Sequence, residues 1–184
     1  MGLDQLWASW RSMYVTGAAE RRAAMPGDLP EDAPDDGRSL FERILDSGAP
    51  DEETFILARG ATCFVILNRF PYTSGHLMVL PNRAAPDLED LDDAEFTELW
   101  SLVRHAVVVL KSTLRCDGVN VGINLGRAAG GSQADHLHVH CVPRWVGDAN
   151  FMGVVGGAQV MPVSLGEQWR RLRDHWDPSG TLGS

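Results

Sequence analysis

The chain has 184 residues, 44% of them hydrophobic and 22% charged, which suits one globular core, and no apolar run approaches the roughly 20 residues a membrane-spanning helix needs. The net charge of −9 gathers in residues 28–53, where ten acidic residues stand against Arg38 and Arg43; the remainder is nearly neutral and has no basic stripe for long DNA or RNA. The three cysteines, Cys63, Cys116 and Cys141, lie far apart without a Cys-x-x-Cys pair, a pattern of neither a disulfide framework nor a zinc finger.

In chain order, Leu3, Leu6, Trp7, Trp10 and Tyr14 recur at helical spacing and predict an amphipathic helix over residues 3–14. No basic stretch followed by an apolar run opens the chain, so a secretory signal is not visible and a cytoplasmic protein is expected. Residues 26–37, rich in Pro, Gly and acid, predict a linker, followed by a short helix around Ser39 to Ser47. Thr54 to Ala58 and Ala61 to Asn68 are β-rich runs meeting at Arg59-Gly60, the pattern of a tight hairpin. His76 to Pro81 predicts a third strand.

Asp92-Asp-Ala-Glu95 has the form of a helix capping box, with Asp92 as cap and Glu95 three residues on. Behind it Phe96, Leu99, Val103, Ala106, Val107, Leu110 and Leu114 trace one face of a helix over Glu95 to Leu114. Val119 to Leu125 alternates apolar with small polar residues, which predicts a strand with Asn120, Gly122 and Asn124 on one face. A Gly- and Ala-rich loop, Gly126 to Ser132, leads into a last strand, His136 to Val142, stopped by Pro143. A C-terminal helix is expected from Leu165 to Trp176. These elements predict an α+β fold, a meander of antiparallel strands with one long helix between the third and fourth. The expected organisation is an N-terminal helical extension with an acidic linker (1–53), a body (54–151) and a C-terminal extension with a helix (152–184).

His136-Leu-His138-Val-His140 stands out. The two-residue period of a strand puts three imidazoles on one face and Leu137, Val139 and Cys141 on the other. With six histidines in the chain, chance would rarely produce this alternation. Three readings fit: a structural row of hydrogen-bonded histidines, a metal site, or a nucleophile with helpers. Histidine is a common zinc ligand, but three rings spread along one strand do not easily converge on one tetrahedral ion. A neutral imidazole, with an ordinary pKa of ~6.5, attacks phosphorus and leaves it readily, and its neighbours can orient it or protonate a departing oxygen. Gly130-Gly131-Ser132 would offer backbone amides and a hydroxyl to developing negative charge.

The segment Gly131 to Pro143, with its three alternating histidines, resembles the signature of the histidine-triad family. A second block, Asn68 to Pro81 with Gly75-His76 before a strand ending in proline, is similar to another motif of that family, and the resemblance spans about residues 54–151. It implies the family's fold, an antiparallel sheet of about five strands with one long helix packed on it. It also implies that His138 is the nucleophile toward the α-phosphate and that His136, His140 and His76 surround it, with His140 contacting the reacting phosphate. Asn68 would bind ribose hydroxyls, and Asn124, Gly131 and Ser132 would hold phosphate oxygens. Each also has a structural reading: Asn68 as a turn cap, Asn124 as a sheet partner, Gly131 as a bend. Phe55, Leu57, Phe64 and Ile66 would border the base or fill the core.

Zinc-holding members usually carry Cys-x-x-Cys before the first body strand; Ser39 to Ile44 has none, so no structural metal is expected. Pro143-Arg-Trp-Val-Gly-Asp148 is similar to the branch acting on dinucleoside polyphosphates, where Trp145 would flank a second nucleoside or serve as a core tryptophan. The long N-terminal extension and the Gly-Gly-Ser loop most resemble the actinobacterial phosphorylases of diadenosine tetraphosphate. The resemblance implies an adenylyl-His138 intermediate, with inorganic phosphate as co-substrate in a phosphorylase or water as acceptor in a hydrolase. Arg127, Ser132 and Asn124 are candidates for the acceptor pocket. No cofactor is required for the chemical step, although a divalent metal can accompany the substrate. The expected partners are an adenine nucleotide or dinucleoside polyphosphate and a second copy of the chain, as a homodimer or dimer of dimers. A nucleotide-binding regulator with little turnover is the non-enzymatic alternative.

Overall fold

The computed structural model describes residues 37–129, 133–148 and 163–176. Its contacts divide the chain into two units, Met1–Ala33 with Gly147–Val160 and Pro34–Val146 with Met161–Ser184, and nearly all described residues lie in the second. The expected helix over residues 3–14 and Gly130, Gly131 and Ser132 lie outside the described residues, as does nearly all of the expected linker.

Two short helices, α1 (Leu40–Leu45) and α2 (Asp51–Thr54), precede the sheet. The strands are β1 (Ile56–Arg59), β2 (Cys63–Leu67), β3 (Leu77–Pro81), β4 (Gly118–Ile123) and β5 (Val139–Arg144), with the long helix α3 (Asp93–Leu114) between β3 and β4. Helix α4 (Leu165–Asp174) follows β5. All pairings are antiparallel, but the order is β1-β2-β3-β5-β4. The expected meander is therefore broken, because β5 inserts between β3 and β4 and leaves β4 at the edge.

Boundaries follow local chemistry. Asp92 accepts from the Glu95 amide at 2.8 Å while the Glu95 carboxylate accepts from the Asp92 amide at 2.9 Å, so α3 begins where the capping box predicts. Thr54, expected to start a strand, instead ends the turn of α2, and β1 begins at Ile56. The last strand also differs from expectation: it begins at Val139 and runs through Pro143 to Arg144. Proline is tolerated there because β3 pairs only as far as Leu77 opposite Cys141, so Pro143 has no β3 partner for its missing N–H to serve.

Strands β2 and β3 are buried on both faces. On one face Cys63, Val65, Leu67, Leu77, Val79, Leu137, Val139 and Cys141 pack with Leu99, Val103, Ala106, Val109 and Leu110 of α3. The helix turns slightly from its expected face: Phe96 is exposed and Val109 is buried. On the other face Phe64, Ile66, Met78 and Leu80 form a smaller cluster with Ile56 and with Phe41 of α1. Helix α4 covers the β1 edge, with the Trp169 indole N–H on the Ile56 carbonyl at 2.8 Å and the Arg173 guanidinium on that of Leu57. The body thus buries Phe41 and Leu172 from segments on either side of it. Among the described residues no helix is long and apolar enough to cross a membrane.

Candidate active site

The histidines collect on the sheet face opposite α3. Of the three, only His140 lies within β5; His136 and His138 belong to the segment entering it. The reason is a side chain: the His136 carbonyl accepts from Nδ1 of His138 at 2.8 Å and is thereby committed to an imidazole. The alternation still holds, because Leu137, Val139 and Cys141 all face the α3 cluster. His76, just ahead of β3, joins the row through Nε2, which lies 3.0 Å from Nδ1 of His140. Tyr72 lies against His76 with ring centroids 4.6 Å apart and the rings tilted by 37°, and the rings of His138 and His140 meet edge to face at 4.9 Å.

The hydrogen bonds fix which nitrogen carries each proton. A carbonyl can only accept, so His138 donates from Nδ1 and keeps Nε2 as an unprotonated lone pair. The Tyr72 backbone N–H donates to Nδ1 of His76 at 3.1 Å, which places the His76 proton on Nε2, from where it is donated to Nδ1 of His140. His140 then carries its own proton on Nε2, a buried atom without a hydrogen-bond partner among the described residues. His136 donates from Nε2 to the Pro81 carbonyl at 2.9 Å and accepts at Nδ1 from the Ser39 hydroxyl at 2.6 Å.

Burial keeps all four rings neutral. It pushes His76 down to about 3 and His140 to about 4, with the neighbouring imidazoles adding to the effect, and lowers His136 and His138 as well. The site therefore combines an unprotonated Nε2 on His138 with an N–H donor on His140, the pair that nucleophilic attack on an anionic group requires. A shared metal ion suits these residues poorly, since both nitrogens of His136 and Nδ1 of His138 and of His140 are already engaged.

Asn68 sits at the margin of this group. Its side-chain oxygen accepts from the Phe70 amide at 2.9 Å and its nitrogen lies 3.4 Å from Nδ1 of His76, so it closes a turn and borders a triad partner at once. Asn124 follows β4, where Ile123 pairs with Val139, and so stands level with His138. Gly122, paired with His140, leaves open space beside it. Arg127 is exposed in a single turn over Arg127–Ala129. Of the apolar candidates, Phe64 and Ile66 are on the histidine face, Leu57 faces α3, and Phe55 touches both clusters. Trp145 is partly buried and packs against the α3 cluster.

Sequence reasoning missed Ser39 and Phe41. The Ser39-x-x-Glu42 pattern is legible as a capping box, but nothing local indicates that it lies against His136. Gly75 has a clearer reason: at φ +83° it holds a left-handed conformation that residues with side chains rarely adopt, with Leu114 lying where a Cβ would stand, and it turns the chain into His76.

A family model described as HIT domain matches residues 50–146. The AP-4-A phosphorylase of Mycobacterium tuberculosis is 42% identical over 174 residues, 95% of this chain and 85% of that protein. The asymmetrical bis(5'-nucleosyl)-tetraphosphatase of Schizosaccharomyces pombe is 36% identical over 92 residues, 50% of this chain and 49% of that protein. Among solved structures, a Zn-bound histidine triad family protein from Mycobacterium smegmatis matches with a TM-score of 0.61 and 26% identity over 74% of this chain and 91% of that one.

Proposed function

The chain belongs to the histidine-triad family, and from that premise we propose that it is a nucleotidyl-transferring enzyme of dinucleoside polyphosphates that splits diadenosine tetraphosphate with inorganic phosphate. The observation that carries the reading is the proton arrangement of the site: His138 offers Nε2 as a lone pair while His140 offers Nε2–H. His138 attacks the α-phosphorus, the bond to the bridging oxygen breaks, and ATP departs with the bonding pair. The His140 proton is directed at the phosphate oxygens where charge accumulates. Inorganic phosphate then attacks the adenylyl-His138 phosphorus, restoring the imidazole and giving ADP.

His136, His138, His140 and His76 are the residues assigned to this chemistry, and Asn68, Asn124, Gly131 and Ser132 to holding the nucleotide. The packing of Trp145 against the α3 cluster supports a structural role over contact with a second nucleoside. Phosphate as acceptor is supported by the similarity to the Mycobacterium tuberculosis phosphorylase along 95% of this chain. The half-length similarity to the tetraphosphatase supports the second reading, in which water takes the adenylyl group. We assign the active form as a homodimer joined at β4, an edge strand whose Val121 is 42% exposed.

Incubation with diadenosine tetraphosphate, with and without phosphate, tests the proposal. ATP plus ADP formed only with phosphate is the expected result; ATP plus AMP in either condition assigns the hydrolase, and absence of turnover defeats both. His138→Ala should abolish adenylyl-enzyme and product alike, and retained turnover in that variant would remove the mechanism.

A further inference from the structure

We propose that Ser39, ahead of the sheet, is a positioning residue of the triad: its hydroxyl clamps the ring of His136 and so sets the carbonyl that holds His138 for attack. This inference rests on His138 as nucleophile and concerns a residue outside the 50–146 match to the family model.

The direction of each hydrogen bond is determined. Ser39 Oγ accepts from the Glu42 amide at 3.1 Å, so its own proton is free to be donated. The His136 ring gives its proton to the Pro81 carbonyl and can therefore only accept at Nδ1. The 2.6 Å contact is thus Ser39 O–H donating to His136 Nδ1. Both ring nitrogens are taken, one from α1 and one from the end of β3, and His136 is fully buried between them.

The backbone is held with the ring. Leu137 donates its amide to the Ala85 carbonyl at 2.7 Å, and the His136 carbonyl accepts from Nδ1 of His138. Ser39 is itself tied down: its amide donates to Glu42 Oε2 at 2.8 Å, and Glu42 Oε1 accepts from Ala84 at 3.0 Å, in the same loop that grips Leu137. Phe41, two residues on, meets the His136 ring edge-on at 5.4 Å and the His138 ring at 5.7 Å. A serine serving only as a helix cap needs the Glu42 amide alone; it need not be 3% exposed with its proton aimed at an imidazole.

Single-turnover formation of adenylyl-enzyme from diadenosine tetraphosphate gives the test, with nucleotide affinity measured alongside. Ser39→Ala should slow adenylylation by about tenfold to a hundredfold at nearly unchanged affinity, because the nucleophile loses alignment and the substrate contacts remain. Ser39→Thr, which keeps the hydroxyl, should restore most of the rate. Asp92→Ala, which removes a helix cap remote from the histidines, should adenylylate as the parent does. A parental rate in Ser39→Ala, or Ser39→Thr no faster than Ser39→Ala, overturns the proposal. Nitrogen-15 spectra of the labelled histidines of the parent give a reading independent of any variant: His136 protonated on Nε2 is expected, and protonation on Nδ1 overturns it. If His138→Ala is inactive while Ser39→Ala is unimpaired, this inference alone fails; if His138→Ala retains turnover, the reading beneath it fails first.

Discussion

Four neutral imidazoles in one row, three buried and His140 half-buried, make the protein sensitive to acid in a calculable way. His76 and His140 hold values of about 3 and about 4 in the folded chain against an ordinary 6.5. Below pH 6.5 the unfolded chain takes up protons that the native state refuses, so stability is intact above that value and declines as pH falls toward 4. Each such histidine adds a slope of about 1.4 kcal/mol per pH unit within that window. Thermal melts between pH 7 and 4 should show this decline, and it should be shallower in His140→Asn. The alternating histidines and Gly75-His76 were readable from sequence because period and residue type are local properties. Which nitrogen bears each proton was not, since it depends on the Pro81 carbonyl and the Tyr72 amide, which only the fold brings to the rings.

Elements are joined by a few polar side chains whose loss should be measurable. Glu98 of α3 accepts from the amides of Ala61, Thr62 and Cys63 and from the Thr62 hydroxyl, fastening the β1–β2 turn to the helix. Glu98→Ala leaves those donors to compete for water, and urea unfolding should show a loss of about 2 kcal/mol. Helix α4 acts similarly at the site: Gln168, 2% exposed, accepts from the Gly75 amide beside His76 and donates to the Val163 carbonyl at 2.8 Å. Gln168→Ala should cost about 1–2 kcal/mol and lower turnover with KM little changed, read from urea melts and steady-state kinetics. The start of α3 was legible because a capping box is written in four residues. The insertion of β5 beside β3 was not, because pairing across the length of α3 leaves no local mark.

At the scale of the molecule, the two borders of the sheet differ in chemistry. The carbonyls of Ile56 and Leu57 on β1 are occupied by Trp169 and Arg173, whereas β4 is the outer strand at the other side and carries Val121 toward solvent. If the homodimer forms through β4, Val121→Lys should shift the mass measured by light scattering from two chains to one while leaving the helix content unchanged. The α+β class was foreseeable from the alternation of strand-like and helix-like stretches; the inequality of the borders was not, since it arises from a helix more than 100 positions downstream of β1. Among the described residues one border is stoppered and the other is not, so if two copies join along β4, the sheet they share ends on a stoppered border at each side. Growth by strand addition would then halt at two copies, and the stopper supplied by α4, which also packs on the α3 side of the sheet, would guard against fibres.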